Sequence, residues 1–260
     1  MDLQFLTEQA LTLARAAGRE IMTIYEGDFE VSLKADQSPL TEADMASHRL
    51  IVKGLKALSP QLPILSEEAA NISWKERSQW HSFWLVDPID GTRDFVNRSG
   101  EFTVNIALVQ DGRPVAGVVT APALGQEFWG IVGQGAWMCE GGQIRELKVQ
   151  EPPREIRVLA SKNHMNRETE QFIQSLGPHR LVQAGSSLKF CRIAQGEADL
   201  YPRRGPTCEW DTGAAQAVLE AAGGKVLTFD GEPLRYGKED FHNPYFIAAG
   251  PGYGDHNHNH

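Results

Sequence analysis

The sequence predicts a chain of two halves, an α+β half followed by an α/β half. Between residues 102 and 140 four apolar segments are separated by short turns rich in glycine, which is typical of an antiparallel meander. From residue 156 to residue 249 segments with strand character alternate with segments of helical periodicity. Residues 151–154 contain two consecutive prolines and are the best candidate for a linker. We therefore expect the halves to be residues 1–150 and 151–250.

Length, charge and cysteine content restrict the class of protein. A chain of 260 residues can bury a sizeable core. The net charge of −9 argues against a nucleic-acid binder, but it allows a small anionic substrate if bound cations invert the local charge. The three cysteines form no C-x-x-C pair, so we expect free thiols in a reducing compartment. There is no signal-peptide pattern and no apolar run of ~20 residues, so we expect a cytoplasmic protein.

Two amphipathic helices are predicted in the first half. The first carries apolar side chains every three or four positions over residues 3–25, and Gly27 ends it. The second begins after Thr41, a plausible N-cap, with Asp44 three positions further on as an imperfect capping box. It continues to Pro60, because proline cannot extend a helix.

The strands of the first half are shorter, and they are predicted at residues 29–33, 63–65, 83–86, 102–109, 115–121, 127–132 and 136–140. Residues 34–41 are predicted to be a loop, and residues 69–82 show no clear pattern. Gly130, Gly133 and Gly135 are interpreted as a turn and not as a nucleotide-binding loop, because they do not lie between a strand and a helix.

The second half alternates between the two kinds of element. Strands are predicted at residues 156–160, 180–184, 198–201, 225–229 and 245–249, and helices at residues 167–176, 187–195 and 211–222. Residues 251–260, with three alternating histidines, are expected to be a disordered tail, and a metal site there is the less favoured alternative.

One stretch of the first half combines strand-ending signals with acidic residues. The apolar run at residues 83–86 leads directly into Asp87, Pro88 and Ile89, followed by Asp90, Gly91 and Thr92. Proline removes a backbone donor, so the strand is expected to stop at this point, and glycine permits a tight turn. The two aspartates would then lie side by side at the end of a rigid strand. An ordinary surface turn remains the alternative, since these residue types favour turns for local reasons.

Other acids also lie where an element begins or ends. Glu67 and Glu68 follow a predicted strand, Asp211 starts a helix, and Asp44 lies in a first helical turn. Converging carboxylates repel one another unless cations neutralise them, and oxygen ligands suit magnesium. Each acid also has a structural explanation: an N-cap for Asp211, a solvated loop for the glutamates and dipole complementation for Asp44.

Taken in order, Asp44, Glu67-Glu68, the Asp87–Thr92 stretch and Trp210-Asp211 resemble the signature of the lithium-sensitive, magnesium-dependent phosphomonoesterases. This superfamily includes inositol monophosphatases, fructose-1,6-bisphosphatases and 3'(2'),5'-bisphosphate nucleotidases. The resemblance extends from about residue 3 to about residue 249. It implies a layered αβαβα sandwich, which agrees with an α+β half and an α/β half.

Within the superfamily the chain is most similar to the bacterial CysQ-type nucleotidases, through residues 34–44, 63–68, 100–108, 185–191 and 200–203. The resemblance implies hydrolysis of the 3'-phosphate of adenosine 3',5'-bisphosphate to AMP and phosphate. The sulfated analogue, 3'-phosphoadenosine 5'-phosphosulfate, is a plausible second substrate. An inositol monophosphatase-like enzyme is the alternative. A non-catalytic regulator is disfavoured, because every expected ligand position retains an oxygen donor.

The resemblance also implies residue roles. Two or three Mg²⁺ ions would be held by Glu67, Asp87, the Ile89 carbonyl, Asp90 and Asp211. Thr92 and Asp44 would orient the attacking water, assisted by Glu68. The residues expected to bind the substrate are Glu67, Ile89, Asp90, Gly91, Thr92, Ser186, Lys189, Arg203 and Asp211.

Lys189 is the main discriminator within the superfamily. The inositol monophosphatase type is apolar after the Gly-Ser pair, so a lysine there suggests a substrate with a second phosphate. Lys189 and Arg203 are alternatively surface charges. Gly213 departs from the alanine usual in the related pattern, and glycine in a helix costs up to ~1 kcal/mol. By the same resemblance we expect a small phosphorylated nucleotide as partner, a monomer or homodimer, and possible peripheral association with the inner membrane.

Overall fold

Five layers stack in the order helix, sheet, helix, sheet, helix in the computed structural model, which describes residues 1–160 and 165–254. The helices in these residues are α1 (Leu3–Tyr25), α2 (Glu42–Leu58), α3 (Trp74–Arg77), α4 (Thr92–Val96), α5 (Arg167–Gln174), α6 (Leu188–Ala194) and α7 (Glu209–Ala221). The strands are β1 (Val31–Leu33), β2 (Pro39–Thr41), β3 (Ile64–Ser66), β4 (Ser82–Asp90), β5 (Thr103–Gln110), β6 (Arg113–Ala121), β7 (Gln126–Ile131), β8 (Gly135–Glu140), β9 (Gln143–Leu147), β10 (Ile156–Ala160), β11 (His179–Gln183), β12 (Leu200–Arg203), β13 (Lys225–Thr228) and β14 (Phe246–Ala249). The layered sandwich implied by the sequence is therefore confirmed.

The first helical layer consists of α1 and α2, which pack against each other and against one face of the larger sheet. The predicted apolar stripe of α1 is buried, with Ala14, Ala17 and Ile21 fully enclosed. The predicted capping box of α2 is present, because the Asp44 carboxylate accepts the backbone N–H of Thr41 at 2.9 Å. The two helices thus form a rigid support beneath the sheet.

The larger sheet has seven strands in the order β3-β4-β5-β6-β7-β8-β9. β3 and β4 are parallel, and every later pair is antiparallel, as the predicted meander requires. Side chains alternate between its faces: Trp84 and Val86 pack towards α1 and α2, whereas Phe83 and Leu85 pack towards α7. Both faces of this sheet are consequently buried.

The smaller sheet has five strands in the order β11-β10-β12-β14-β13. β10 is parallel to both of its neighbours, and the pairs that β14 makes with β12 and β13 are antiparallel. Helices α6 and α7 lie between the two sheets, and α5 covers the outer face of the smaller one. The largest core cluster joins residues of both sheets, including Leu85, Leu159 and Phe246.

α7 approaches the larger sheet unusually closely at two glycines. A Cβ atom on Gly117 of β6 would lie 2.3 Å from the carbonyl oxygen of Ala214, which no packed structure tolerates. A Cβ atom on Gly213 would lie 2.8 Å from Leu85 Cδ2. Gly213, the departure noted in the sequence, therefore lets the helix sit closer to the sheet than alanine would at this position.

β4 continues to Asp90, so the expectation that the strand stops before Pro88 is wrong. Its pairing with β5 changes register between Asp87 and Asp90, and its pairing with β3 ends at Val86. Proline is tolerated in a sheet where the ladder is already irregular, because no hydrogen bond is lost there. The strand is therefore extended by a bulge rather than ended by a turn.

Two strands lie in segments where the sequence predicts none, one a predicted loop and the other unassigned. The C-terminal end of the predicted loop at residues 34–41 forms β2, which pairs with β1 in a two-stranded hairpin. β9 follows the turn after β8, and all of its residues except Leu147 are exposed. Both strands lie at the edge of their sheet; β9 shows no alternation of burial, and β2 has only three residues and begins with proline. The remaining predicted helices and strands are present, with bounds that differ by a few residues.

The remaining chain-level expectations concern cysteines, the linker and the tail. All three cysteines are free: Cys191 is buried, and Cys139 and Cys208 are half-buried. Residues 151–154 connect β9 to β10 without regular secondary structure. In the tail, Tyr253 packs against the outer core cluster, and the three histidines lie outside the described residues. No helix within residues 1–160 and 165–254 is both long and apolar enough to cross a membrane.

Candidate active site

The bulge in β4 brings two aspartates to one place. In a regular strand, residues three positions apart point to opposite faces of the sheet. Asp87 follows Phe83 and Leu85 onto the face covered by α7, and the register shift after it allows Asp90 to reach the same region. The first turn of α7 carries Asp211. Carboxylate oxygens of Asp87, Asp90 and Asp211 all lie within 4.8 Å of one another.

The three carboxylates are bound by the protein to different extents. Asp90 Oδ2 accepts the backbone N–H of Ser187 at 2.8 Å, and Asp211 Oδ2 accepts that of Cys208 at 2.8 Å. Asp87 is completely buried, and neither of its oxygens has a hydrogen-bond partner in the described structure. Buried polar atoms without partners are rare in proteins, and each needs an explanation. Here the unpaired oxygens point to an additional ligand.

The electrostatics of the cluster also indicate a cation. Burial, together with the neighbouring carboxylates, raises the pKa of Asp87 and of Asp90 well above the ordinary range. Burial likewise raises the pKa of Asp211. A divalent cation would neutralise this repulsion and accept the unpaired Asp87 oxygens as ligands, and oxygen-only donors suit a hard ion such as Mg²⁺. The residues present therefore fit a divalent metal.

Glu67 and Glu68 follow β3, beside the cluster, and both are paired with Lys34. The Lys34 ammonium lies 2.6 Å from Glu68 Oε1 and 3.3 Å from Glu67 Oε1. Burial and the nearby Asp211 carboxylate raise the pKa of Glu67. Lys34 belongs to the β1–β2 hairpin and was assigned no role from the sequence. Its only signal was its position in a segment that carries the family resemblance.

Thr92 and Asp44 meet across the site. The Thr92 hydroxyl donates to Asp44 Oδ1 at 2.9 Å, and Asp44 Oδ2 also accepts the Thr41 hydroxyl at 2.7 Å. Thr92 is the first residue of α4, and Gly91 before it has a φ of +85°. A Cβ atom on Gly91 would lie 2.7 Å from Ser186 Oγ, so both backbone conformation and space require glycine there.

Asp211 is at the third position of α7 rather than at its N-cap. The N-cap is Cys208, whose backbone N–H the Asp211 carboxylate accepts in a capping box. The N-cap explanation of Asp211 is therefore wrong in detail, although the residue does help to cap the helix. Capping uses only one of the two carboxylate oxygens, so the carboxylate can also contribute to the cluster.

A pocket of about 300 Å³ opens on the cluster. It is lined by the carboxylates of Glu67, Asp87, Asp90 and Asp211 and also by Lys189 and Arg203. Ile89, Gly91, Thr92 and Ser186 complete the set of expected site residues that line it. Glu68 and Asp44 do not line the pocket, but each contacts a residue that does, Lys34 and Thr92 respectively.

Two of the cations that line the pocket, Lys189 and Arg203, are incompletely paired. Lys189 is only 4% exposed, and among residues 1–160 and 165–254 its ammonium makes one long hydrogen bond, 3.4 Å to the carbonyl of Ser186, and lies 5.2 Å from the centroid of the Tyr201 ring. Arg203 has a buried Nε without a partner in the described structure. Lys189 is therefore not a solvated surface charge, which was the alternative considered from the sequence, whereas Arg203 is half-buried and its Nη2 donates to the Pro206 carbonyl at 3.3 Å. Ser186, which lines the pocket with a φ of +48°, donates its hydroxyl to the backbone carbonyl of Glu101.

Comparisons with known proteins agree with this geometry. Residues 2–257 match the model of the inositol monophosphatase family. The chain is 46% identical over 249 residues to the Escherichia coli K12 protein named 3'(2'),5'-bisphosphate nucleotidase CysQ, an alignment that covers 94% of this chain and 99% of the relative. The protein of the same name from Buchnera aphidicola is 39% identical, over 94% of this chain and 93% of the relative.

Solved structures give the same result. The crystal structure of CysQ from Bacteroides thetaiotaomicron, described as a bacterial member of the inositol monophosphatase family, matches with a TM-score of 0.87 and 38% identity, covering 96% of this chain and 98% of that chain. An inositol monophosphatase from Anabaena matches with a TM-score of 0.75 and 26% identity, covering 96% and 92%. The resemblance predicted from the sequence is thus confirmed, and the chain belongs to the inositol monophosphatase family.

Proposed function

We propose that this protein is a magnesium-dependent 3'(2'),5'-bisphosphate nucleotidase that converts adenosine 3',5'-bisphosphate to AMP and phosphate. The sulfated analogue, 3'-phosphoadenosine 5'-phosphosulfate, is the second candidate substrate. The relatives with 46% identity carry the name of this activity. The observation that carries the proposal is one pocket that brings together an acidic cluster and two incompletely paired cations, Lys189 and Arg203.

Glu67, Asp87, Asp90, Asp211 and the Ile89 carbonyl are the residues that would hold two or three Mg²⁺ ions. The first four present carboxylates to the same pocket, and Ile89 lies in the bulge between two of them. When bound, the ions would supply positive charge that makes water more acidic and stabilises negative charge developing on the phosphate and on the leaving oxygen. Lithium sensitivity is expected by membership of the family.

Thr92 and Asp44 would orient the attacking water. Because the Thr92 hydroxyl donates a hydrogen bond to Asp44, its lone pairs face away from that bond and can accept a hydrogen bond from water. The water oxygen would bond to phosphorus as the phosphorus–ribose oxygen bond breaks, and the ribose oxygen would leave with a proton as a hydroxyl. Glu68, held by Lys34 at 2.6 Å, lies one position from Glu67 and can hold a second water in place.

Lys189 and Arg203 would bind the phosphate that is not cleaved. The buried Lys189 ammonium has one long hydrogen bond and the Asp90 carboxylate nearby, and so poorly hydrogen-bonded a charge is costly unless a further anion pairs with it. A nucleotide with two phosphates can place one against the acidic cluster with its cations and the other against Lys189 and Arg203. Gly91, Thr92 and Ser186 also line the pocket and would contact the reacting phosphate.

The basic test is phosphate release from adenosine 3',5'-bisphosphate, AMP and an inositol monophosphate, with and without Mg²⁺ and Li⁺. We expect the bisphosphate to be hydrolysed with the highest kcat/KM, only with Mg²⁺, and with inhibition by Li⁺. Faster hydrolysis of inositol monophosphate would favour the inositol monophosphatase-like alternative. No Mg²⁺-stimulated release from any substrate would contradict the whole proposal.

A substitution at Lys189 tests the second phosphate directly. Lys189→Met should raise KM for adenosine 3',5'-bisphosphate by about tenfold or more, because a lost charge-assisted contact is worth about 1.5–3 kcal/mol. It should change hydrolysis of 3'-AMP, which has only the reacting phosphate, by less than about threefold. Lys189 also lies near enough to lower the pKa of Asp90. If Lys189 serves only to neutralise the charge of Asp90, Lys189→Met will reduce the hydrolysis of both substrates equally. Lys53→Met, on the exposed side of α2, is the matched control.

Several finer properties stay predictions from the resemblance and composition. They are the division at residue 150, the monomeric or dimeric state, the cytoplasmic location and the peripheral contact with the inner membrane. Light scattering of the purified protein would test the oligomeric state, and cosedimentation with vesicles of anionic phospholipid would test the membrane contact.

A further inference from the structure

One face of α2 contacts three segments that carry residues of the site. Asp44, Ser47 and His48 lie at helical spacings of three and four, so they project from the same side. Asp44 accepts the Thr92 hydroxyl, Ser47 donates to the carbonyl of Pro88 at 2.9 Å, and His48 Nδ1 lies 2.8 Å from Ser66 Oγ. Pro88 is adjacent to Asp87, and Ser66 is adjacent to Glu67. The helix thus touches each segment beside its functional residue.

The segment of Glu67 is the one with the weakest support from the sheet. β3 has only three residues, lies at the edge of the seven-stranded sheet, and pairs with β4 alone. Immediately after Ser66 the chain turns into a 3-10 segment at Glu67–Ala69. By contrast, Asp87 and Asp90 lie in an interior strand, and Asp211 belongs to a helix buried between the sheets. An additional contact that holds the chain in place therefore matters most for the edge strand β3.

We propose that His48 is a positioning residue, which holds Glu67 at the acidic cluster through its hydrogen bond to Ser66. Ser66 is 1% exposed, and its partner Val86 in β4 immediately precedes Asp87. Because His48 holds Ser66 in this register, the bond fixes the position of Glu67 relative to Asp87. The inference rests on the proposed metal site. It adds a residue that neither lines the pocket nor touches a substrate, but acts through Ser66.

Residues that orient metal ligands typically contribute ten- to hundredfold in metal affinity. His48→Leu should therefore weaken Mn²⁺ binding by about tenfold, measured by titration calorimetry without substrate. The KM for adenosine 3',5'-bisphosphate at saturating metal should change by less than about twofold. His48→Asn, whose side-chain amide can take the place of Nδ1, should recover most of the affinity. Ser66→Ala, which removes the bond from the other side, should weaken binding as His48→Leu does.

Ser59→Ala is the matched control. The Ser59 hydroxyl is also buried at an end of α2, where it accepts the indole N–H of Trp84 at 2.8 Å. Trp84 lies three positions before Asp87 in β4, so this bond reaches no residue adjacent to a proposed ligand. Ser59→Ala should lower the melting temperature and leave Mn²⁺ affinity unchanged. In the double variant His48→Leu with Ser66→Ala, the affinity should equal that of the weaker single variant, because both changes remove the same interaction.

Wild-type affinity in both His48→Leu and Ser66→Ala would overturn the inference. So would equal losses in His48→Leu and Ser59→Ala, which would indicate general loosening of α2, or additive losses in the double variant. If the wild-type protein binds no Mn²⁺, the proposed metal site fails first and the inference falls with it. Melting temperatures of all variants in the same buffer identify any that do not fold, and Ser66→Ala or His48→Asn then decides the outcome.

Discussion

Replacing Asp87 by asparagine should make the metal-free protein more stable. Carboxylate oxygens of Asp87, Asp90 and Asp211 lie within 4.8 Å of one another, and at an effective dielectric constant of about 20 two unit charges at that distance repel by about 3.5 kcal/mol. Asp90 and Asp211 together would cost an ionised Asp87 about twice that amount, and Glu67 adds to it. Burial and this repulsion both raise the pKa of Asp87, so protonation relieves part of the cost. Asparagine removes it without changing the shape of the side chain.

The net gain is smaller than the Coulomb sum. Burying the new amide costs about 1–3 kcal/mol where it lacks partners, although neighbouring carboxylates can accept its N–H groups. We therefore expect a gain of about 2 kcal/mol in the free energy of unfolding without metal. For a domain of this size that corresponds to a rise of about 5 °C in melting temperature. Added Mg²⁺ should raise the melting temperature of the wild type and leave that of Asp87→Asn nearly unchanged.

Melting curves by circular dichroism, in EDTA and in excess Mg²⁺, measure both effects. Asp199→Asn is the control, because Asp199 is also buried but is paired with Arg157 through two hydrogen bonds at 2.9 and 3.0 Å. Removing a paired charge leaves the guanidinium without its partner, so this variant should melt at a lower temperature. If Asp87→Asn also melts lower than the wild type in EDTA, the carboxylate cluster is not a source of strain and the reasoning is wrong.

Three further predictions follow from the same structure. Without metal, the free energy of unfolding should fall as pH rises above about 4, since the folded state keeps protons on Asp87 and Asp90 that the unfolded chain releases. Urea midpoints measured in EDTA should fall less with pH in Asp87→Asn than in the wild type, and an equal fall would contradict the prediction. Thr92→Val should lower kcat by about a hundredfold or more and Thr92→Ser by under about tenfold, both with the wild-type Mg²⁺ shift in melting temperature. Gly117→Ala should lower the free energy of unfolding, measured by urea denaturation, by about 2 kcal/mol, because the new Cβ would meet the Ala214 carbonyl. Gly27→Ala should lower it little, because a Cβ there would lie 3.7 Å from its nearest neighbour.

Much of the fold is visible in the sequence because local pattern and tertiary burial agree. The spacing of apolar residues in α1 matches its buried face, and β4 to β8 are apolar enough to be recognised as strands. β9 was missed because all of its residues except Leu147 are exposed, which leaves no alternation, and β2 because it has only three residues and begins with Pro39. Pro88 was misjudged because the rule against proline assumes a regular ladder, and the bulge in β4 depends on partners elsewhere in the chain.

The site was only partly predictable, for a similar reason. Acids at strand ends indicate where ligands gather, and the family resemblance supplied the ordered set. It could not indicate that Asp87 has no hydrogen-bond partner of its own, since this depends on every residue packed around it. Nor did it reveal the contact of Lys34 with Glu67 and Glu68, which crosses more than thirty positions of sequence between a hairpin and an edge strand. Long-range contacts between polar side chains leave no local pattern.

Because α7 is packed between the two sheets, it links their unfolding. One side of the helix covers the larger sheet at Gly117, and its other contacts include α6 and β13 of the smaller sheet. Releasing either sheet would expose the apolar side chains of this helix to water, at a cost that the remaining half could not offset. We therefore expect calorimetry to give one cooperative transition rather than two, and a cut in residues 151–154 to leave the two fragments associated.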